Sequence, residues 1–325
     1  MAIGIEDILS AAQQIKGAAV RTPLLEYPAL NELLGGRVFI KPENLQVIGA
    51  FKFRGAYNRL SRLTEAERAK GVVAFSSGNH AQGVAKAAQI LGIKATIVMP
   101  NDAPKLKLAN TRSYGAEVVQ YDRYNEDREE VAKRVVGDSG AIVVPPYNDP
   151  YIMAGQGTVG LEIAEDLKQL GLKPDQALVN CGGGGLASGT FVALKHHFPG
   201  MDGYVVEPEA FDDVCRSLTT GTIEKVDFGA RSICDALLTP SAGDLTFPIL
   251  RECEIKGLTV SDEEALAAVR YAAITLKMVV EPGGAAALAA LMNGRVAAKG
   301  RTTVVVLSGG NIEPEMLAEC VGSEG

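Results

Sequence analysis

Short apolar runs alternating with helical segments constrain this chain more than any other feature. Residues 72–75, 95–99, 118–121 and 141–144 read as strands, with helices over about 81–91, 105–114 and 125–136 between them. Gly115 stands where the second helix should stop, and Pro145-Pro146 close the fourth strand. A strand–helix–strand rhythm makes the strands parallel and covers both faces of a sheet with helices. The second half repeats it, with strands at 177–180, 203–206 and 302–307. Its helices are one running from a glycine run to about His197, one behind the capping box Ser261-Asp262-Glu263-Glu264, and one over 283–292. The expected fold class is α/β with parallel sheets.

Composition narrows the partners. The 325 residues carry a net charge of −7 and no block of Lys and Arg, which argues against nucleic acid and anionic membranes. No apolar run nears the roughly 18 residues of a membrane span. The N-terminus reads as an amphipathic helix with Glu6 and Asp7, not as a signal peptide. Cys181, Cys215, Cys234, Cys253 and Cys320 form no CxxC pair, so a reducing cytoplasm is expected rather than a disulfide framework or a zinc site.

In parallel α/β sheets, ligands bind beyond the carboxyl ends of the strands. Three such ends are rich in Gly, Ser and Asn: Ser76-Ser77-Gly78-Asn79-His80, Gly182-Gly183-Gly184-Gly185 and Ser308-Gly309-Gly310-Asn311. They point to one pocket built from three loops. The four glycines run into a helix whose first N–H groups and dipole would suit a phosphate, although a tight turn that binds nothing has the same sequence. The run is neither a dinucleotide fingerprint nor a Walker motif. Lys52 lies between Phe51 and Phe53, where desolvation would lower its pKa and free the amine as nucleophile or base. A surface lysine on an amphipathic segment has the same neighbours; the glycine cradle and polar strand ends turn the reading toward chemistry.

Six segments in order carry a resemblance: AFKFRGAYN (50–58), SSGNHAQGVA (76–85), AGQGTVGLEI (154–163), CGGGGLASG (181–189), EPGGAAALAAL (281–291) and LSGGN (307–311). Over nearly its whole length the chain resembles the fold-type II pyridoxal-phosphate enzymes, in the branch of serine/threonine dehydratases, serine racemases and 3-hydroxyaspartate dehydratases. The resemblance implies a tryptophan synthase β-like fold. A large cofactor domain (1–70 and 149–325) and a small mobile domain (71–148) would hold the site between them, commonly in a homodimer.

It further implies that Lys52 forms the Schiff base with pyridoxal 5'-phosphate and that Phe51 lies against the ring. Asn79 would hydrogen-bond the ring hydroxyl, and Gly182, Gly183, Gly184, Gly185 and Leu186 would hold the phosphate. Ser308 would face the ring nitrogen. Ser76, Ser77, Asn79 and His80 would receive the substrate carboxylate. A neutral Ser308 favours expulsion of a Cβ leaving group over transamination. The implied reaction is β-elimination from a β-hydroxy amino acid such as threonine or serine, to a 2-oxo acid and ammonia. Hydroxyaspartate dehydration and serine racemisation are the alternatives. Ser77 faces the substrate opposite the lysine in the resembling racemases, so it serves either proton exchange or carboxylate binding.

Glu207, Asp213 and the carbonyl of Phe211 match a divalent-cation site of the racemases; such hard oxygen ligands suit Mg²⁺ first, then Ca²⁺ or Mn²⁺. A solvated acidic turn is the other reading. Arg128 would pair with a second substrate carboxylate, or with the acids around it on a helix. Two departures from the racemase pattern concern Tyr147, where an Asn is expected, and the stretch 234–241. The sequence ends at Gly325, shortly beyond Asn311, so no regulatory domain is expected after it.

Overall fold

A computed structural model describes residues 1–122, 125–227 and 229–322; the side chains of Arg128, Glu129 and Asp138 also lie outside the described residues. Among the described residues ten strands form two sheets. The larger has the order β1-β2-β10-β7-β8-β9, built from β1 (Leu25–Glu26), β2 (Arg37–Pro42), β7 (Gln176–Asn180), β8 (Asp202–Pro208), β9 (Lys256–Val260) and β10 (Thr302–Leu307). The smaller has the order β5-β4-β3-β6, from β3 (Val72–Phe75), β4 (Ala95–Pro100), β5 (Glu117–Tyr121) and β6 (Ile142–Val143). Every pairing is parallel except β1 with β2.

Both sheets are covered on both faces, as uninterrupted apolar strands require. Along β10, Val305 and Leu307 enter one core while Val304 and Val306 enter another. In β3 the same alternation divides Val72 and Ala74 from Val73 and Phe75. Among the described residues no helix is long and apolar enough to cross a membrane.

The parallel α/β expectation holds, with adjusted bounds. The helix read over 125–136 is Arg128–Val136, because the Asp127 carboxylate accepts from Glu130 N at 3.0 Å and makes Asp127 the cap. The helix read from 81 begins at Asn79.

Residues 21–70 received no assignment from sequence, yet they hold β1, β2 and the helix Lys52–Ser61. That helix starts at Lys52 because the preceding chain is stapled to the β10 loop: Phe51 N donates to the Ser308 carbonyl at 3.1 Å, and Ala50 bridges Gly309. Its other face meets the helix Pro150–Gln169 at backbone distance. A Cβ on Gly155 would stand 2.6 Å from Gly55 Cα, so only glycine permits this approach.

Candidate active site

The three polar strand ends converge. Loops after β3, β7 and β10 line a cavity of about 90 Å³, joined by Pro146 and Tyr147 beyond β6 and by residues 235–239. Parallel pairing places all these loops at the carboxyl edges of their sheets.

Lys52 opens its helix with its amine in this cavity. Its Nζ donates to the Pro146 carbonyl at 2.7 Å and lies 5.2 Å from the Phe51 ring centroid. Burial lowers its pKa to about 8. The amine is therefore part neutral near physiological pH, as a nucleophile or base must be.

The glycine loop follows β7. Gly184 has φ +90°, a conformation glycine adopts without strain, and Gly185 starts the helix Gly185–His197. Its first N–H groups have no intrahelical acceptor. The loop is pinned from behind, with the Gly183 carbonyl accepting from Thr246 Oγ1 at 2.7 Å and Gly243 N at 3.2 Å. Thr239 Oγ1 is buried with no partner among the described residues, and a Cβ on Gly182 would meet it at 3.2 Å. A buried unpartnered hydroxyl beside the N–H groups of a helix start is a donor set that fits an anion.

The ring of Tyr147 lies on this loop, and a Cβ on Gly183 would approach it to 2.3 Å. Gly183→Ala is expected to destabilise the protein by about 1–3 kcal/mol through overpacking. Thermal denaturation measures this; an unchanged midpoint would mean that the ring leaves the loop freely.

Ser308 is buried, and its Oγ accepts from Asn180 Nδ2 at 2.9 Å. Asn79 is buried as well. Its amide donates to Glu281 Oε1, and its Oδ1 accepts from Asn311 Nδ2 at 2.8 Å. Ser76 and Ser77 line the cavity, with Ser76 Oγ accepting from Gly78 N at 3.1 Å. The His80 imidazole hydrogen-bonds the Val144 carbonyl at 2.9 Å. Burial, then the Lys52 charge, push its pKa down to about 3, so this ring is neutral and offers a carboxylate no cation.

The cavity thus gathers Phe51, Lys52, Ser76, Ser77, Asn79, His80, the four glycines from Gly182 to Gly185, Leu186 and Ser308. Arg128 begins its helix, and its side chain lies outside the described residues. Glu207, Phe211 and Asp213 line no part of this cavity. Glu207 lies next to last in β8 and accepts from Cys215 N at 2.7 Å, while Asp213 starts the helix Asp213–Thr220 with neither carboxylate oxygen partnered among the described residues.

Sequence reading missed the Pro146 carbonyl, Asn180, Lys107 and the role of Glu281. Only Glu281 gave a signal, as the acid before Pro282 at a helix start.

Comparison with known proteins shows the family and the fold. Residues 15–309 match the family model "Pyridoxal-phosphate dependent enzyme". An L-threo-3-hydroxyaspartate ammonia-lyase from Pseudomonas sp is 47% identical over 96% of both chains. A serine racemase from Schizosaccharomyces pombe is 44% identical over 96% of this chain and 95% of its own. The crystal structure of a threonine deaminase from T.th. superposes with a TM-score of 0.90 at 43% identity, covering 96% of this chain and 99% of that one.

Proposed function

The chain belongs to the pyridoxal-phosphate-dependent enzymes, and we propose that it removes water from a β-hydroxy amino acid, threonine or serine, and that the released enamine, hydrolysed by water, gives a 2-oxo acid and ammonia. The observation that carries this reading is a lysine amine with a pKa near 8 facing a glycine cradle and a neutral Ser308 in one cavity.

The residues fit the cofactor. Gly182 to Gly185 and Leu186 would hold its phosphate through main-chain N–H groups, where Thr239 Oγ1 lacks a partner among the described residues. Phe51 would face the ring, Asn79 its hydroxyl, Ser308 its nitrogen, and Lys52 would bind it covalently. When bound, the cofactor withdraws electrons from the substrate's Cα.

The chain supplies the rest. The helix Asn79–Leu91 presents its N-terminus to the cavity, so N–H groups of the Ser76–His80 loop would receive the substrate carboxylate. Neutral His80 leaves that task to the main chain. Lys52 Nζ would take the Cα proton, with the Pro146 carbonyl directing the amine. Ser308 offers a hydroxyl where a carboxylate would stabilise stored charge, which favours rapid departure of the Cβ hydroxyl. Closure of residues 71–148 over the cavity would exclude water.

A second substrate, 3-hydroxyaspartate, is favoured by the activity that the Pseudomonas relative is named for, with Arg128 as a candidate partner for its second carboxylate. Racemisation is favoured by Ser77 lining the cavity with Lys52. Ammonia and 2-oxo acid formation from L-threonine, L-serine and L-threo-3-hydroxyaspartate, with chiral analysis of unreacted serine, tests all three. Absence of 2-oxo acid from every substrate overturns the reading.

We also propose a divalent cation, Mg²⁺ before Ca²⁺ or Mn²⁺, at Glu207, Asp213 and the Phe211 carbonyl. The support is a mismatch of charge. Two buried carboxylates lie together, and burial, then the charge of Asp213, push Glu207 well above its usual range. A cation would supply what the unpartnered Asp213 oxygens lack. At a hundredfold excess over its Kd, Mg²⁺ is expected to add about 2.7 kcal/mol, read as a thermal midpoint several degrees higher than in EDTA. Equal midpoints contradict the site. No disulfide joins any of the five cysteines, which suits the proposed cytoplasmic location; a homodimer is proposed from the resemblance.

A further inference from the structure

Asp235 is the one carboxylate among the described residues that line the cavity. It belongs to a trio. Lys107 Nζ stands 2.7 Å from Asp235 Oδ2 and 2.6 Å from Glu281 Oε2. Lys107 and Glu281 are about 1% exposed at the side chain, whereas Asp235 is 29% exposed and forms the trio's face toward the cavity. The trio sits directly over the loop assigned to the substrate carboxylate. A Cβ on Gly78 would lie 3.5 Å from Lys107 Nζ and 3.7 Å from Asp235 Oδ2.

One ammonium meets two carboxyl groups. Burial raises the pKa of Glu281, whose Oε1 also accepts from the Asn79 amide. Asp235, the exposed member, brings its carboxylate to the cavity wall. A neutral substituent on Cβ meets no penalty there. A second carboxylate would meet a like charge and would have to compete with Asp235 for the same ammonium.

We propose that Asp235, held on Lys107, is a specificity-determining residue that selects substrates with an uncharged Cβ substituent against those with a second carboxylate. The inference rests on the β-hydroxy amino acid reading and deepens it. Neutralising Asp235 removes the opposing charge, while Glu281 still pairs with the Lys107 ammonium. Asp235 is partly exposed, and an Asn amide oxygen in its place can still accept from Lys107.

The test uses the cofactor-loaded enzyme and its Asp235→Asn and Asp235→Ser variants. The ratio of kcat/KM for L-threo-3-hydroxyaspartate to that for L-serine is expected to rise about tenfold or more, the order for removing one nearby like charge, and mainly through KM for hydroxyaspartate. Reading a ratio cancels any general loss of activity, which a merely structural role would produce for both substrates alike. A ratio that stays level or falls in both variants overturns the proposal. Binding of L-aspartate against L-asparagine, followed by the cofactor's absorbance, gives a readout that needs no elimination. The aspartate-to-asparagine affinity ratio must rise in the variants. If wild-type enzyme eliminates from neither substrate, the functional reading fails, and the aspartate-to-asparagine comparison still decides the role of Asp235.

Discussion

Lys52→Ala is expected to lower kcat/KM by about 10³-fold or more while leaving the fold intact. The magnitude is that of losing a positioned general base together with the covalent anchor of the cofactor. The fold should survive because the amine's hydrogen bond goes to the Pro146 carbonyl alone and the residue sits at the start of its helix. A thermal midpoint near that of the wild type, beside near-zero turnover, is the expected pair of results; full turnover refutes the assignment. The pH dependence follows from the same amine. Because burial lowers its pKa to about 8, the reactive neutral form is scarce below that pH and dominant above it. Cofactor capture by the apoprotein should accelerate as pH rises and level off above about 8.

Arg54→Met should cost about 3–5 kcal/mol of stability, the range for breaking a buried ion pair on one side. Arg54 is fully buried two residues from Lys52. Its guanidinium grips Glu43 through Nε and Nη2, each at 2.7 Å, and Glu162 through Nη1 at 2.7 Å. Lys41 Nζ completes the network at 2.6 Å from Glu162 Oε2. The substitution strands Glu43, which is itself fully buried. Urea or thermal denaturation measures the loss, and a change below about 1 kcal/mol would show the network to be dispensable. Burial alone would raise the Glu43 pKa, yet the Arg54 charge and hydrogen bonds, with Lys41 and Thr22, together outweigh it and hold the carboxyl below its ordinary 4.5. A depressed carboxylate stabilises the fold above that ordinary value, and the contribution fades as pH falls through the lower folded pKa. Acid should therefore weaken the wild type more than the variant.

The same network explains what sequence reading could not reach. In β2, the buried Lys41 interrupts the apolar run Val38-Phe39-Ile40. In the helix Lys52–Ser61, Phe53, Ala56 and Leu60 form an apolar stripe, but Gly55 and a buried Arg54 interrupt the pattern beside it, because that face is fixed by close glycine contact and ion pairs. The strands β3, β4 and β10 were legible because they are buried on both faces and contain no charge. The loop residues of the site were legible for a different reason: Gly, Ser and Asn at strand ends announce a backbone meant to approach a ligand. Lys107 gave no such sign. Its chemistry arises only when its helix is folded against Asp235 and Glu281, 128 and 174 positions away.

In the proposed mechanism Lys52 carries both the cofactor and the proton transfer in this cavity. Borohydride reduction of the cofactor-loaded protein, followed by peptide mass spectrometry, tests it most directly. The account predicts that the cofactor becomes fixed to the peptide containing Phe51-Lys52-Phe53, one per chain, with loss of elimination activity. Attachment to another lysine, or an unmodified Lys52 in an inactivated protein, would contradict it.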